Sequence, residues 1–171
     1  MRFMGIEDAS DGDVGGAESF VQSELFARTF REGMALVEET ANYLDGEGRD
    51  ASKRLARDTA LAYAGASMRL TTQLMQIASW LLVLRAVREG EMRLGEASDA
   101  KYRLTPSEAA SVKFNTDGLP ERLVGLIDAA HQLYSRINRL DGELFVSKPD
   151  PDSKNDAAAQ QRTLMQAFRR G

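Results

Sequence analysis

The sequence predicts an all-α fold: an antiparallel three-helix bundle with a long central helix, paired as a homodimer and flanked by disordered tails. Three patterns predict it. They are a charge-free run of fifteen residues between Arg69 and Arg85, an apolar stripe from Phe26 to Leu44, and a heptad-like seam from Leu123 to Leu140. They divide the 171-residue chain into a tail over 1–18, a bundle domain over 19–145 and a flexible tail over 146–171.

Residues 1–18 hold four glycines and several acidic residues but few apolar side chains, too little to offset the entropy of ordering. Ser19 is a candidate cap for the first helix, in which Phe26, Phe30, Met34, Val37, Ala41 and Leu44 recur at helical spacing. Gly46 ends it, and LDGEGRD makes a tight connection to Asp50, a candidate cap for the second helix.

The second helix is expected from Ala51 to Gly90, ~60 Å long against ~40 Å for the first. Leu70, Leu74, Ile77, Leu81 and Leu84 form one face, and Met68, Met75, Ala78 and Leu82 widen it. A helix apolar around most of its circumference must be covered on several sides. The overhang calls for a second copy of the chain, with Trp80, Leu81 and Leu84 as dimer or core anchors. Thr71, Thr72, Gln73 and Gln76 suit a bilayer poorly, so no membrane span is expected.

Beyond Gly90 and Gly95, EASDAKYRL adds a turn or two, and Thr105-Pro106-Ser107-Glu108 opens a short helix ending near Phe114. NTDG turns the chain, and Pro120 opens the third long helix. There Leu123, Leu126, Ala130, Leu133, Ile137 and Leu140 alternate spacings of three and four, flanked by Ile127 and Tyr134. The short connections favour antiparallel neighbours, except at the longer second one. After Phe145, SKPDPDSKNDAAAQQ reads as a linker, and Leu164, Met165 and Phe168 mark a short amphipathic segment.

The formal charge of −4 disfavours binding to nucleic-acid phosphates. The chain has no cysteine, hence no disulfide framework, thiolate metal site or thiol nucleophile, which fits a cytoplasmic protein; the N-terminus shows no secretory signal. His131, the single histidine, lies one position off the seam and reads as structural; it cannot supply the paired Glu-x-x-His of a di-iron bundle. DGEGRD lacks the calcium-loop framework and its glycines do not precede Lys-Ser/Thr. Glu38-Glu39 is a solvated face. Arg122, Arg136 and Arg139 are expected to pair with acidic neighbours such as Glu121 and Asp141. No catalytic site, cofactor or metal is expected.

Two other classes make distinct demands. A ligand-binding helical bundle needs a closed pocket with convergent polar groups, beside Thr71, Thr72 and His131. A DNA-associated co-regulator needs a basic face on the third helix.

The strings VEETANYLDGEGR (37–49), SMRLTTQLMQIASWLL (67–82) with RAV and GEM after it, and LYSRINRLD (133–141) go further. Over roughly residues 26–141 the chain resembles the alphaproteobacterial family of regulators of CtrA degradation, also catalogued as a domain of unknown function. Gly65-Ala66 stands where that family carries a more polar, acidic pair. The resemblance implies a homodimeric, non-enzymatic adaptor that helps the ClpXP protease destroy the cell-cycle regulator CtrA. It would act with a CpdR-type receiver protein and a PopA-type cyclic-di-GMP effector, in the cytoplasm and at a cell pole. Its expected protein contacts are Arg49, Arg69, Gln73, Gln76, Arg136 and Arg139, with Leu164, Met165 and Phe168 in the tail.

Overall fold

A computed structural model describes residues 14–104 and 115–145, and every regular element among them is helical. In chain order these are α1 (Val14–Val21), α2 (Glu24–Asp45), α3 (Glu47–Ser52), α4 (Arg57–Arg88), α5 (Leu94–Ala97), a 3-10 turn (Ala100–Tyr102) and α6 (Glu121–Phe145). The helix expected over Thr105–Phe114 and the tail bearing Leu164, Met165 and Phe168 lie outside the described residues.

Ordered structure begins earlier than composition suggested. The last residues of the expected N-terminal tail belong to α1, where Ala17 and Val21 are buried among the other helices. The cap of α2 is Ser23 rather than Ser19: its hydroxyl accepts the Phe26 N–H at 3.2 Å and donates to the Phe20 carbonyl. That exchange breaks what read as one helix into two.

The connection after α2 is also helical. Gly46 ends α2, its N–H donating to the Asn42 and Tyr43 carbonyls, and it opens α3 as well. Asp50 therefore sits inside α3, and α4 starts at Arg57, six residues later than expected. The reason is packing. Gly48 is pressed so closely between Tyr43 and Tyr63 that a Cβ there would lie 2.6 Å from both the Tyr43 ring and the Tyr63 hydroxyl. Leu55 then packs against the core before α4 begins.

Helices α2, α4 and α6 enclose one core. Leu70, Leu74, Ile77, Leu81 and Leu84 of α4 are all buried, as is the seam of α6 except half-buried Leu140. Each fully buried Leu or Ile contributes about 1.5–3 kcal/mol. Trp80, Leu81 and Leu84 are core residues of their own chain, not dimer anchors. The buried face of α2 is rotated from the expected stripe. It runs through Phe26, Thr29, Gly33, Leu36, Thr40 and Tyr43, leaving Phe30, Met34, Val37 and Leu44 half-buried and Ala41 exposed. Gly33 sets this rotation, because Leu81 fills the space a Cβ would need.

The bundle is not uniformly antiparallel. α2 opposes both partners: Tyr43 lies near Tyr63 while Gly33 lies against Leu81, and Glu39 meets Arg122 while Glu32 meets Arg136. α4 and α6, however, run parallel. A Cβ on Gly118, just before α6, would touch Thr59 at the start of α4, and Asp141 reaches Trp80 near its other end. The long connection from Glu89 to Pro120 makes this possible, since a short one would force neighbouring helices to run antiparallel. Gln22 caps the far end of α4 by donating to the Arg88 carbonyl at 3.2 Å.

Candidate functional site

α4 buries one face and leaves the opposite one bare. Leu61, Met68, Met75 and Leu82 recur every seven residues and are 68%, 72%, 65% and 50% exposed. Ala64, Gly65, Thr71, Thr72, Ala78 and Ser79 lie between them, all small. The two threonine hydroxyls donate back to the Ser67 and Met68 carbonyls at 2.8 and 3.0 Å, so their donors are satisfied within the helix. Four large apolar side chains on a heptad repeat, alternating with small ones, form a stripe ~30 Å long on which another helix can pack closely. By length and a mean hydropathy of 1.3 over an 18-residue stretch, α4 would also suit a membrane span, but its other face supplies eight buried residues to the core.

Two depressions flank the stripe at Met75. A groove of about 150 Å³ lies against α2, lined by Val37, Leu44, Leu74 and Met75, with the Thr40 hydroxyl oxygen buried and unpartnered in its wall. A cleft of about 460 Å³ opens on the other side, between α4 and residues 101–104. Met75, Trp80, Val83 and Leu104 give it an apolar floor, and Gln76 lines it with a buried, unpartnered Oε1.

A buried ionic clip forms the end wall of that cleft. Asp141 is 4% exposed. Its Oδ1 accepts from Trp80 Nε1 at 2.9 Å and from Arg103 Nε at 2.8 Å, and its Oδ2 accepts from Arg103 Nη2 at 2.8 Å. The guanidinium then lies 5.0 Å from the centre of the Phe145 ring. One carboxylate thus ties α4, the 101–104 segment and the end of α6 together.

Buried phenols mark the opposite end. Neither Tyr43 nor Tyr63 has a hydrogen-bond partner for its hydroxyl. Burial pushes both above the ordinary tyrosine range; for Tyr43 the neighbouring Tyr63 and Glu47 add to the rise and Arg122 opposes it, and for Tyr63 the nearby Ser67 side chain opposes it.

The residues expected to make protein contacts do not converge on one patch. Arg49 is exposed on α3, while Arg69, Gln73 and Gln76 share one side of α4. Arg136 is ion-paired with Glu32, and Arg122 pairs with Glu47 at 3.1 Å and Glu39 at 3.8 Å. These arginines thus pair across to α2 and α3 and not with their neighbours Glu121 and Asp141, and Arg139 is exposed beside them. His131 is exposed on α6 and takes no part in the cleft, which does include Thr72. Among the described residues no group of three or more His, Asp or Glu could hold a metal ion. Sequence reasoning missed the Asp141 clip, whose only signal was an acid one turn beyond Ile137 on the seam. It saw Met68, Met75 and Leu82 as apolar without separating them from the core face.

Among the described residues, fold and surface together define a helical protein built around one helix with two apolar faces, one of them exposed. Residues 17–168 match the family described as Protein of unknown function (DUF1465). The chain is also similar to RcdA from Caulobacter crescentus CB15, known from a crystal structure. The two are 50% identical over 77% of this chain and 99% of that one, with a TM-score of 0.61. No curated protein matches. The chain belongs to the RcdA family.

Proposed function

We propose that this protein is a non-enzymatic adaptor in regulated proteolysis, which helps the ClpXP protease degrade the response regulator CtrA and related substrates. The observation that carries this reading is the 50% identity to RcdA across nearly the whole of that chain. A CpdR-type receiver and a PopA-type cyclic-di-GMP effector are its expected companions, in the cytoplasm and at a cell pole. The adaptor works by tethering: holding a substrate beside the protease raises its local concentration to the mM range without new chemistry.

The protein works as a homodimer in this reading. The stripe Leu61–Met68–Met75–Leu82 supports it, being self-complementary and otherwise left to water. The surface for partners includes Arg69, Gln73 and Gln76 beside that stripe, with Arg49 and Arg139 further off.

The test is a reconstituted degradation reaction containing ClpXP, the receiver, the effector and CtrA, with and without this chain. Turnover of CtrA should rise about threefold or more when the chain is added. Unchanged turnover with every companion present would refute the adaptor reading.

A further inference from the structure

The cleft between α4 and residues 101–104 lies where the chain leaves its last described helix. Arg103 lines the cleft, and the same guanidinium stacks on Phe145, the final residue of α6. The 26 residues after Phe145 contain one apolar cluster, Leu164, Met165 and Phe168, bracketed by Arg162, Arg169 and Arg170. The family match continues through this stretch to Phe168. As a flexible linker, the nineteen steps from Phe145 to Leu164 reach about 25 Å on average, enough to turn back onto the cleft.

The cleft's chemistry suits that segment. Its floor of Met75, Trp80 and Leu104 is apolar, and the buried Gln76 Oε1 lacks a donor. The segment brings apolar side chains together with N–H donors from Gln166 and its arginines. Asp141 already neutralises Arg103, which leaves Lys101, drawn over the Tyr102 ring, as the one cation among the described residues of the cleft wall, so the apolar floor and the Gln76 oxygen rather than charge select the segment. We propose that residues 162–170 dock in cis in this cleft, with Leu164, Met165 and Phe168 on its apolar floor and an N–H donating to Gln76. Held so close to its site, the segment sees it at an effective concentration in the mM range, so even a weak contact keeps it seated. This proposal does not depend on the adaptor reading, and its test needs no protease.

Because the chain has no cysteine, engineered disulfides are unambiguous. In the full chain, Gln166→Cys is combined with Ser79→Cys at the rim of the cleft, or with Asp45→Cys at the opposite end of the bundle. Both bundle positions are exposed, and helicity by circular dichroism checks each fold. Under mild oxidation at micromolar concentration the 79–166 bond should form within one chain about tenfold faster than 45–166, independent of protein concentration. Adding Leu164→Asp and Phe168→Asp should slow it by a similar factor. Equal rates for the two pairs would overturn the proposal, as would a 79–166 bond that forms mainly between chains and speeds up with concentration, which would make a second copy the occupant.

Discussion

Asp141 is a charge buried on the inner face of α6, one residue beyond Leu140 of the seam, and its partners make that tolerable. Removing one member of a buried pair leaves the other desolvated and unpaired, at a cost of about 3–5 kcal/mol. Asp141→Ala should therefore lower the unfolding free energy by about 3 kcal/mol, measured by urea titration with Trp80 fluorescence as the probe. Arg103→Lys should recover little of the stability lost in Arg103→Ala, since an ammonium cannot make the two-pronged contact to both oxygens. The tyrosine pair behaves differently. Below pH ~10 both phenols are neutral in either state; above it the unfolded chain ionises first because the folded values are raised, so folding loses free energy as pH climbs. Stability should fall through this alkaline window. Tyr43→Phe with Tyr63→Phe should flatten the fall, as thermal melts from pH 8 to pH 11 would show. At neutral pH the double variant should match the parent or exceed it by about 1 kcal/mol, because two buried hydroxyls without partners disappear.

Two glycines in helices show how elements are spaced. Gly33 lets α2 approach α4 until Leu81 occupies its face, whereas the space around Gly125 on α6 is open. Gly33→Ala should cost about 1–3 kcal/mol through overpacking, while Gly125→Ala should gain up to about 1 kcal/mol in helix propensity, both read from urea midpoints. This contrast also shows what was legible in the sequence. The leucine face of α4 and the seam of α6 could be read directly, because large apolar residues at helical spacing have one stable use. The face of α2 could not, because Thr29, Gly33 and Thr40 at its centre are chosen for size, and hydrophobicity points instead to Phe30, Met34 and Val37 beside them. Local hydrogen bonding at Ser23 and the helix at Glu47–Ser52 were similarly hidden, being set by contacts with Phe20, Tyr43 and Tyr63.

At the scale of the molecule, the exposed stripe of α4 carries the proposed dimer contact. Met68→Glu with Met75→Glu places two charges at its centre without touching the core. The expected outcome is a folded monomer by sedimentation at micromolar concentration, where the parent sediments as a dimer. A parent that already sediments as a monomer would remove the stripe from the dimer account. The excess of apolar surface was visible in the sequence, since α4 carries more of it than one buried face accounts for. The sequence could not say which face was bare, because that depends on the direction of α6. The ion pair of Arg136, one of the expected contact residues, was equally illegible: Glu32 is a partner 104 residues away that no local pattern reveals.

The parallel course of α4 and α6 also sets a timetable for biosynthesis. Trp80 is translated 61 residues before the Asp141 that accepts its N–H. At ~5–20 residues per second, α4 spends about 3–12 s emerging beside α2 with the groove for α6 still open. During that interval the face of α4 that receives α6 is open, next to a stripe that no described residue of its own chain covers. The nascent protein is therefore most adhesive just before its last helix leaves the ribosome, and slow codons between Glu89 and Pro120 would prolong that exposure.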